Sequence, residues 1–132
     1  MKKLIFVILL IIPFQLSAPP NRCLVIAKEE GINPYLKIWE AVKVIESGNN
    51  NYAINFKEGA YGAGQIRKIK LDWYFQRTGI KHELRDCFDA EVSKSIFMYH
   101  MMQYDDENKA IMRWNGKGIK AEKYLKRVKA QL

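Results

Sequence analysis

Glu46 and the glycine-rich run that follows it are the residues in this 132-residue chain whose types and order could do chemistry. Glu46 lies at the end of an apolar-periodic segment. Ser47, Gly48, a polar loop and then Gly59-Ala60-Tyr61-Gly62-Ala63-Gly64-Gln65-Ile66 come after it. A carboxyl in the last turn of a helix faces the negative end of the helix dipole, which disfavours its charge. Partial burial against an apolar stripe acts in the same direction, raising the pKa and keeping the proton on near neutral pH. Such a group suits a general acid that protonates a leaving oxygen. On position alone, an exposed glutamate fraying the last turn explains Glu46 as well, because surface glutamates are common. Gly62 and Gly64 would let backbone approach a ligand closely, or would simply make a tight turn.

The elements that must position these residues are helical. Asn33-Pro34 predicts a helix start, with Asn33 as cap and proline in the first turn. Ile38, Ala41, Val42 and Ile45 then fall at i, i+3, i+4 and i+7, a core-facing stripe with Glu46 at its margin. Gly48 is the expected stop. An amphipathic, aromatic helix is expected from Ile66 to Thr78, ending at Gly79. Asp89 is expected to cap a longer helix that turns Val92, Ile96 and Tyr99 or Met102 inward. A short helix from Lys109 to Trp114 ends at Asn115-Gly116. A last one, Lys120 to Lys129, buries Ala121, Tyr124, Leu125 and Val128 and turns lysines outward. No segment alternates convincingly. The expected fold is all-α with five to seven helices, the alternative being a short β-hairpin within the loop from Asn49 to Gly59.

The length suits one small domain with one core. The net charge is +8, or +6 without Lys2 and Lys3, and favours anionic partners without choosing among them. The lysines are scattered along helix faces rather than interleaved with aromatics, so nucleic acid is not an expected partner. Cys23 and Cys87 show no CxxC or Cys/His spacing, so neither a metal site nor any cofactor is expected. Residues 1–18 read as a secretion signal: two lysines, an apolar run from Leu4 to Ile12, Pro13, and small residues up to Ala18. The apolar run is shorter than the roughly 20 residues of a membrane span. An uncleaved anchor is the alternative. Residues 19–31 form an N-terminal arm and 32–132 the domain, which is placed in the periplasm or cell envelope. Export would permit a Cys23–Cys87 disulfide, contributing about 4 kcal/mol in the chain-entropy account, the alternative being two free thiols.

Glu46-Ser47 followed by GAYGAGQI resembles the soluble-type (SLT) lytic transglycosylases, a branch of the lysozyme-like superfamily that includes goose-type lysozymes. The family pattern is Glu-Ser, a polar loop, Gly-Ala-x-Gly-Leu-Met-Gln-Ile, and a later Tyr-Asn. Here Glu46-Ser47, Gly59-Ala60, Gly62 and Gln65-Ile66 match in order. DAEVSKSIFMYHM looks like the family helix that begins Asp-Pro-x-x-Asn. RWNGKG with AEKYLKRV looks like its terminal Tyr-Asn-x-Gly and closing helix. The resemblance runs from Ile32 to Val128. It implies a lysozyme-like fold and cleavage of the β-1,4 bond between N-acetylmuramic acid and N-acetylglucosamine in peptidoglycan, leaving 1,6-anhydro ends. Glu46 would be the acid and then the base. Ser47, Asn55, Gly62, Gln65, Trp114 and Asn115 would line the substrate groove.

Three departures accompany the resemblance. Ala63-Gly64 replaces Leu-Met, which is expected to widen the groove. Asn55 stands where a serine is common beside the acid, and its amide could bond Glu46. Trp114-Asn115 replaces Tyr-Asn, so the phenol that contacts the acid is expected to be missing; Trp114 could stack on a sugar or pack in the core. His100, near another family tyrosine, is read as structural. The usual glycosidase has two carboxylates flanking the bond, and Glu58 and Asp72 are read as solvated rather than as a second one. The alternatives to a transglycosylase are a hydrolytic muramidase of the same fold, and a catalytically weak glycan-binding subunit of a wall-spanning machine. Stand-alone domains of this kind serve secretion, conjugation or phage machinery, and a monomer is expected.

Overall fold

The computed structural model describes residues 33–132. The expected secretion signal and arm, with Cys23, lie outside the described residues. Asn33 Oδ1 accepts the Tyr35 N–H at 3.0 Å, and Pro34 fits the first turn at φ −61°. Helix α1 (Tyr35–Ser47) buries Ile38, Trp39, Ala41 and Val42. It ends where Gly48 and Asn49 turn left-handed, at φ 61° and 65°. Their N–H groups return to the carbonyls of Val44 and Lys43, each at 3.0 Å, satisfying acceptors that a helix end otherwise leaves open.

The segment after α1 is not purely loop and the fold is not purely helical. Strands β1 (Ile54–Asn55), β2 (Ala60–Tyr61) and β3 (Ile66–Arg67) form a small antiparallel sheet in that order. Ile54 pairs with Tyr61, and Tyr61 in turn with Ile66. A hairpin is present, but its second strand lies just beyond the expected Asn49–Gly59 bounds, and a third strand is added from the end of the glycine-rich run. Helix α2 (Lys68–Thr78) starts two residues later than expected, because Ile66 and Arg67 are in the sheet.

A 3₁₀ helix (Leu84–Phe88) follows, closed at its start by reciprocal bonds between Glu83 and Asp86. Helix α3 (Ala90–Met101) is capped by Asp89, whose Oδ1 accepts the Glu91 N–H at 2.8 Å. Its buried face is Ser93, Ile96, Phe97, His100 and Met101. Val92 and Tyr99 are only partly buried and Met102 is exposed, so the expected stripe was turned by about one residue. Helix α4 (Glu107–Asn115) is capped by Asp106, and α5 (Ile119–Lys129) buries Ala121, Tyr124 and Val128.

α4 and α5 pack as a pair, and α1 lies against both α3 and α5. Trp39, Phe97 and Trp114 join these helices, with ring centroids 5.1 Å and 5.0 Å apart along the series. The described residues are thus mainly α with five α-helices and one small sheet. Among them no helix is long and apolar enough to cross a membrane.

Candidate active site

Glu46 lies one residue before the end of α1, where the left-handed Gly48-Asn49 turn carries the chain away and leaves its side chain beside a cleft of about 480 Å³. The sheet supplies one wall through Asn55, Glu58 on the β1–β2 turn, Gln65 and Arg67. The other comes from Lys70 on α2, Trp114 and Asn115 at the end of α4, and Lys120 on α5. Of the residues picked from sequence, Glu46, Asn55, Gln65, Trp114 and Asn115 are brought together here. Ser47 and Gly62 are not among its lining.

Burial raises the Glu46 carboxyl above its ordinary 4.5. The Tyr124 hydroxyl, Arg127 and Lys70 pull it down, in that order, and Glu58 adds a smaller upward push. Burial outweighs the rest. Tyr124 is the residue that sequence reasoning missed as a site group. Its side chain is almost wholly buried, and its hydroxyl faces the acid without making a hydrogen bond of good geometry to any group. Burial and the Glu46 charge both raise the phenol's pKa, so it stays protonated and can only donate toward a carboxylate. The expectation that the acid has no phenol beside it is thus overturned: α5 supplies one in place of α4. The sequence signal was a tyrosine in an otherwise aliphatic buried stripe, where a hydroxyl needs a reason to be inside.

Three of the polar groups picked from sequence have part of their bonding capacity already used. The Gln65 amide nitrogen donates to the carbonyls of Gly62 and Ala53, at 3.0 Å and 3.3 Å, leaving its oxygen as the acceptor for a ligand. Gln65 itself is left-handed at φ 48°, an uncommon conformation for a residue with a side chain. The Asn55 oxygen accepts the Glu58 N–H at 3.2 Å, so it holds the hairpin rather than Glu46, and its NH₂ remains as donor. Ser47 Oγ donates to the Lys43 carbonyl and accepts the Asn50 N–H, both at 3.1 Å. Its hydroxyl is spent fixing the turn that follows Glu46.

The glycines serve packing. A Cβ on Gly62 would stand 2.0 Å from the Cys87 carbonyl oxygen, which also accepts the Ser93 hydroxyl at 2.7 Å. A Cβ on Gly64 would come 3.0 Å from Trp39 Cζ3 and 3.4 Å from Trp114 Cζ2. The space freed by a glycine at this position is filled by indole, so the expected widening does not occur. Trp114 is only 6% exposed, packed edge-on against Phe97 and His100. The Lys70 ammonium lies 3.9 Å from its ring centroid, so the face expected to stack on a sugar carries a cation instead.

Lys70 was likewise not singled out from sequence. Its Nζ donates to the Trp114 carbonyl at 3.3 Å. Burial first, then Arg67, push its pKa down to about 7, while Glu46 pulls it back up. His100 is buried behind it, with Nε2 2.9 Å from the Ala110 carbonyl. Burial and Lys70 hold the imidazole at about 4, so it is a neutral core group. Asp72 is engaged with Lys68 on the surface of α2, away from the cleft lining. Glu58, read as solvated, is exposed but does line the cleft. Cys87 is buried, with no disulfide partner among the described residues, and burial pushes its thiol to about 12; its candidate partner Cys23 lies outside them.

Among the described residues, no three His, Cys, Asp or Glu side chains are grouped to hold a metal ion. The chain was compared with protein-family models, with curated proteins and with solved structures, and none of them matches.

Proposed function

We propose that this chain is an exported peptidoglycan lytic transglycosylase with a lysozyme-like domain, and that Glu46 is its acid and base. The observation that carries the reading is the Glu46 carboxyl itself: half-buried in a cleft, protonated more readily than an ordinary glutamate, and faced by a buried phenol. In the proton-bearing form it donates to the oxygen bridging muramic acid C1 to the next sugar, and the C1–O bond breaks. The resulting carboxylate accepts the proton of the muramic C6 hydroxyl as that oxygen closes onto C1. One bond breaks, one forms, and no water is consumed. Tyr124 stabilises the carboxylate between the two steps by donating to it. Gln65 offers an acceptor, and Asn55 and Asn115 offer amide groups, to the acetamido and hydroxyl groups of the strand.

One observation favours a second reading. Glu58 lines the same cleft, and its charge is felt at Glu46. A second carboxylate could activate water and make the enzyme a hydrolase. Digestion of sacculi in oxygen-labelled water separates the two. Transglycosylation predicts 1,6-anhydro ends without label. Labelled reducing ends that disappear in Glu58→Gln would establish hydrolysis instead.

A further inference from the structure

Three cations face the cleft that holds Glu46: Arg67 from β3, Lys70 from α2 and Lys120 from α5. Among the described residues none of the three has an acidic partner at ion-pair distance, whereas Lys68, Lys94 and Lys129 each have one. The carboxylates in the lining do not balance them. Glu46 must carry its proton to act, which leaves Glu58 alone against Arg67 and Lys120, with Lys70 about half charged near neutral pH.

Lys70 differs from a solvated surface lysine. Its ammonium is fixed between the Trp114 carbonyl and the Trp114 ring, and an ammonium has three donors, so at least one remains for the cleft. Burial there disfavours the charged form, and an incoming anion would favour it. The groups around it, Glu46, Arg67 and His100, include no carboxylate that stays ionised while Glu46 is protonated. A neutral sugar would supply no anionic partner for these groups.

We propose that Arg67, Lys70 and Lys120 form a carboxylate-binding wall that selects acidic glycan strands over neutral ones. This rests on the peptidoglycan reading and names which part of that substrate the cleft grips. The carboxylate has two sources on such a strand: the lactyl group of a muramic acid stripped of its peptide, and the acidic residues of an attached peptide stem.

The test is a titration of the Glu46→Gln chain, in which turnover is stopped, with three oligosaccharides of equal length. One contains N-acetylglucosamine only, one is a peptidoglycan strand stripped of stems, and one carries its stems. The acidic strands are expected to bind at least tenfold more tightly than the neutral one, with the advantage shrinking as salt is added. Arg67→Gln and Lys120→Gln, both at exposed positions, are each expected to reduce that advantage about two- to fivefold. A tight stripped strand assigns the lactyl carboxylate, and a tight stem-bearing strand assigns the stem. Equal affinity for neutral and acidic strands, or an advantage untouched by both Arg67→Gln and Lys120→Gln, overturns the wall. Cleavage of sacculi by the unsubstituted chain is scored separately. Cleavage with charge-blind binding removes the wall alone, whereas charge-dependent binding without cleavage keeps the wall and removes the catalytic assignment.

Discussion

The Tyr124 hydroxyl faces the Glu46 carboxyl, yet among the described residues it is the buried side-chain polar atom left without a hydrogen-bond partner. A buried donor kept unsatisfied is costly, typically about 1–3 kcal/mol. The arrangement is explained if the bond forms when Glu46 loses its proton during turnover. Tyr124→Phe is therefore expected to leave stability unchanged or raise it by up to about 1 kcal/mol in urea unfolding. It should also lower kcat/KM for sacculus cleavage by about tenfold. Because the phenol holds the Glu46 pKa down, the alkaline limb of the pH profile should move to higher pH.

Glu46 makes a second prediction through stability. Its pKa is raised in the folded state, so folding favours the protonated acid. That contribution is full below the unfolded carboxyl pKa and is lost as pH rises through the raised folded value. Glu46→Gln removes the ionisation. Its melting temperature should therefore gain on the wild type as pH increases across that window, and level off above it. A constant difference at every pH would show an unperturbed carboxyl.

Gly62 and Gly79 are both left-handed, at φ 77° and 73°, but only Gly62 is walled in. Gly62→Ala meets the Cys87 carbonyl oxygen in addition to the backbone penalty, and should cost about 2–5 kcal/mol. Gly79→Ala faces open space and should cost about 1–2 kcal/mol. Denaturant midpoints of the two variants check the difference.

Gly64 and Trp114 should be energetically coupled. Gly64→Met alone places a long side chain against two indoles and is expected to destabilise by about 3 kcal/mol or more. Combined with Trp114→Tyr, which shortens the facing ring, the loss should fall short of the sum of the single losses by at least about 1 kcal/mol. A double-mutant cycle on unfolding free energies measures it, and simple additivity would mean that the ring does not fill the glycine's space.

What the sequence made legible was local. Asn33 beside Pro34, the stripe from Ile38 to Ile45, Gly48 as a stop and Asp89 as a cap each act within a turn of their own position, and each is in the structure. The sheet was weakly legible because its strands are two residues long, too short for an alternating pattern to register. Ile66 looked like a helix start for the same reason. The stripe on α3 was misjudged because Ser93 and His100, polar by type, are buried by partners the local pattern does not contain. Within the site, Glu46, Asn55, Gln65 and Asn115 were found by motif. Tyr124 and Lys70 were not, since their roles depend on α5 and α2 meeting the end of α1. The pairing of Gly64 with Trp114 is also a relation between distant positions. Read one at a time, each looked like a loss.

The most direct test of the central claim is mass spectrometry of purified sacculi digested with the wild-type chain and with Glu46→Gln. The wild type is expected to release 1,6-anhydro-muropeptides, and Glu46→Gln about a thousandfold fewer. Anhydro products formed equally well by Glu46→Gln, or no products from the wild type at all, would contradict it.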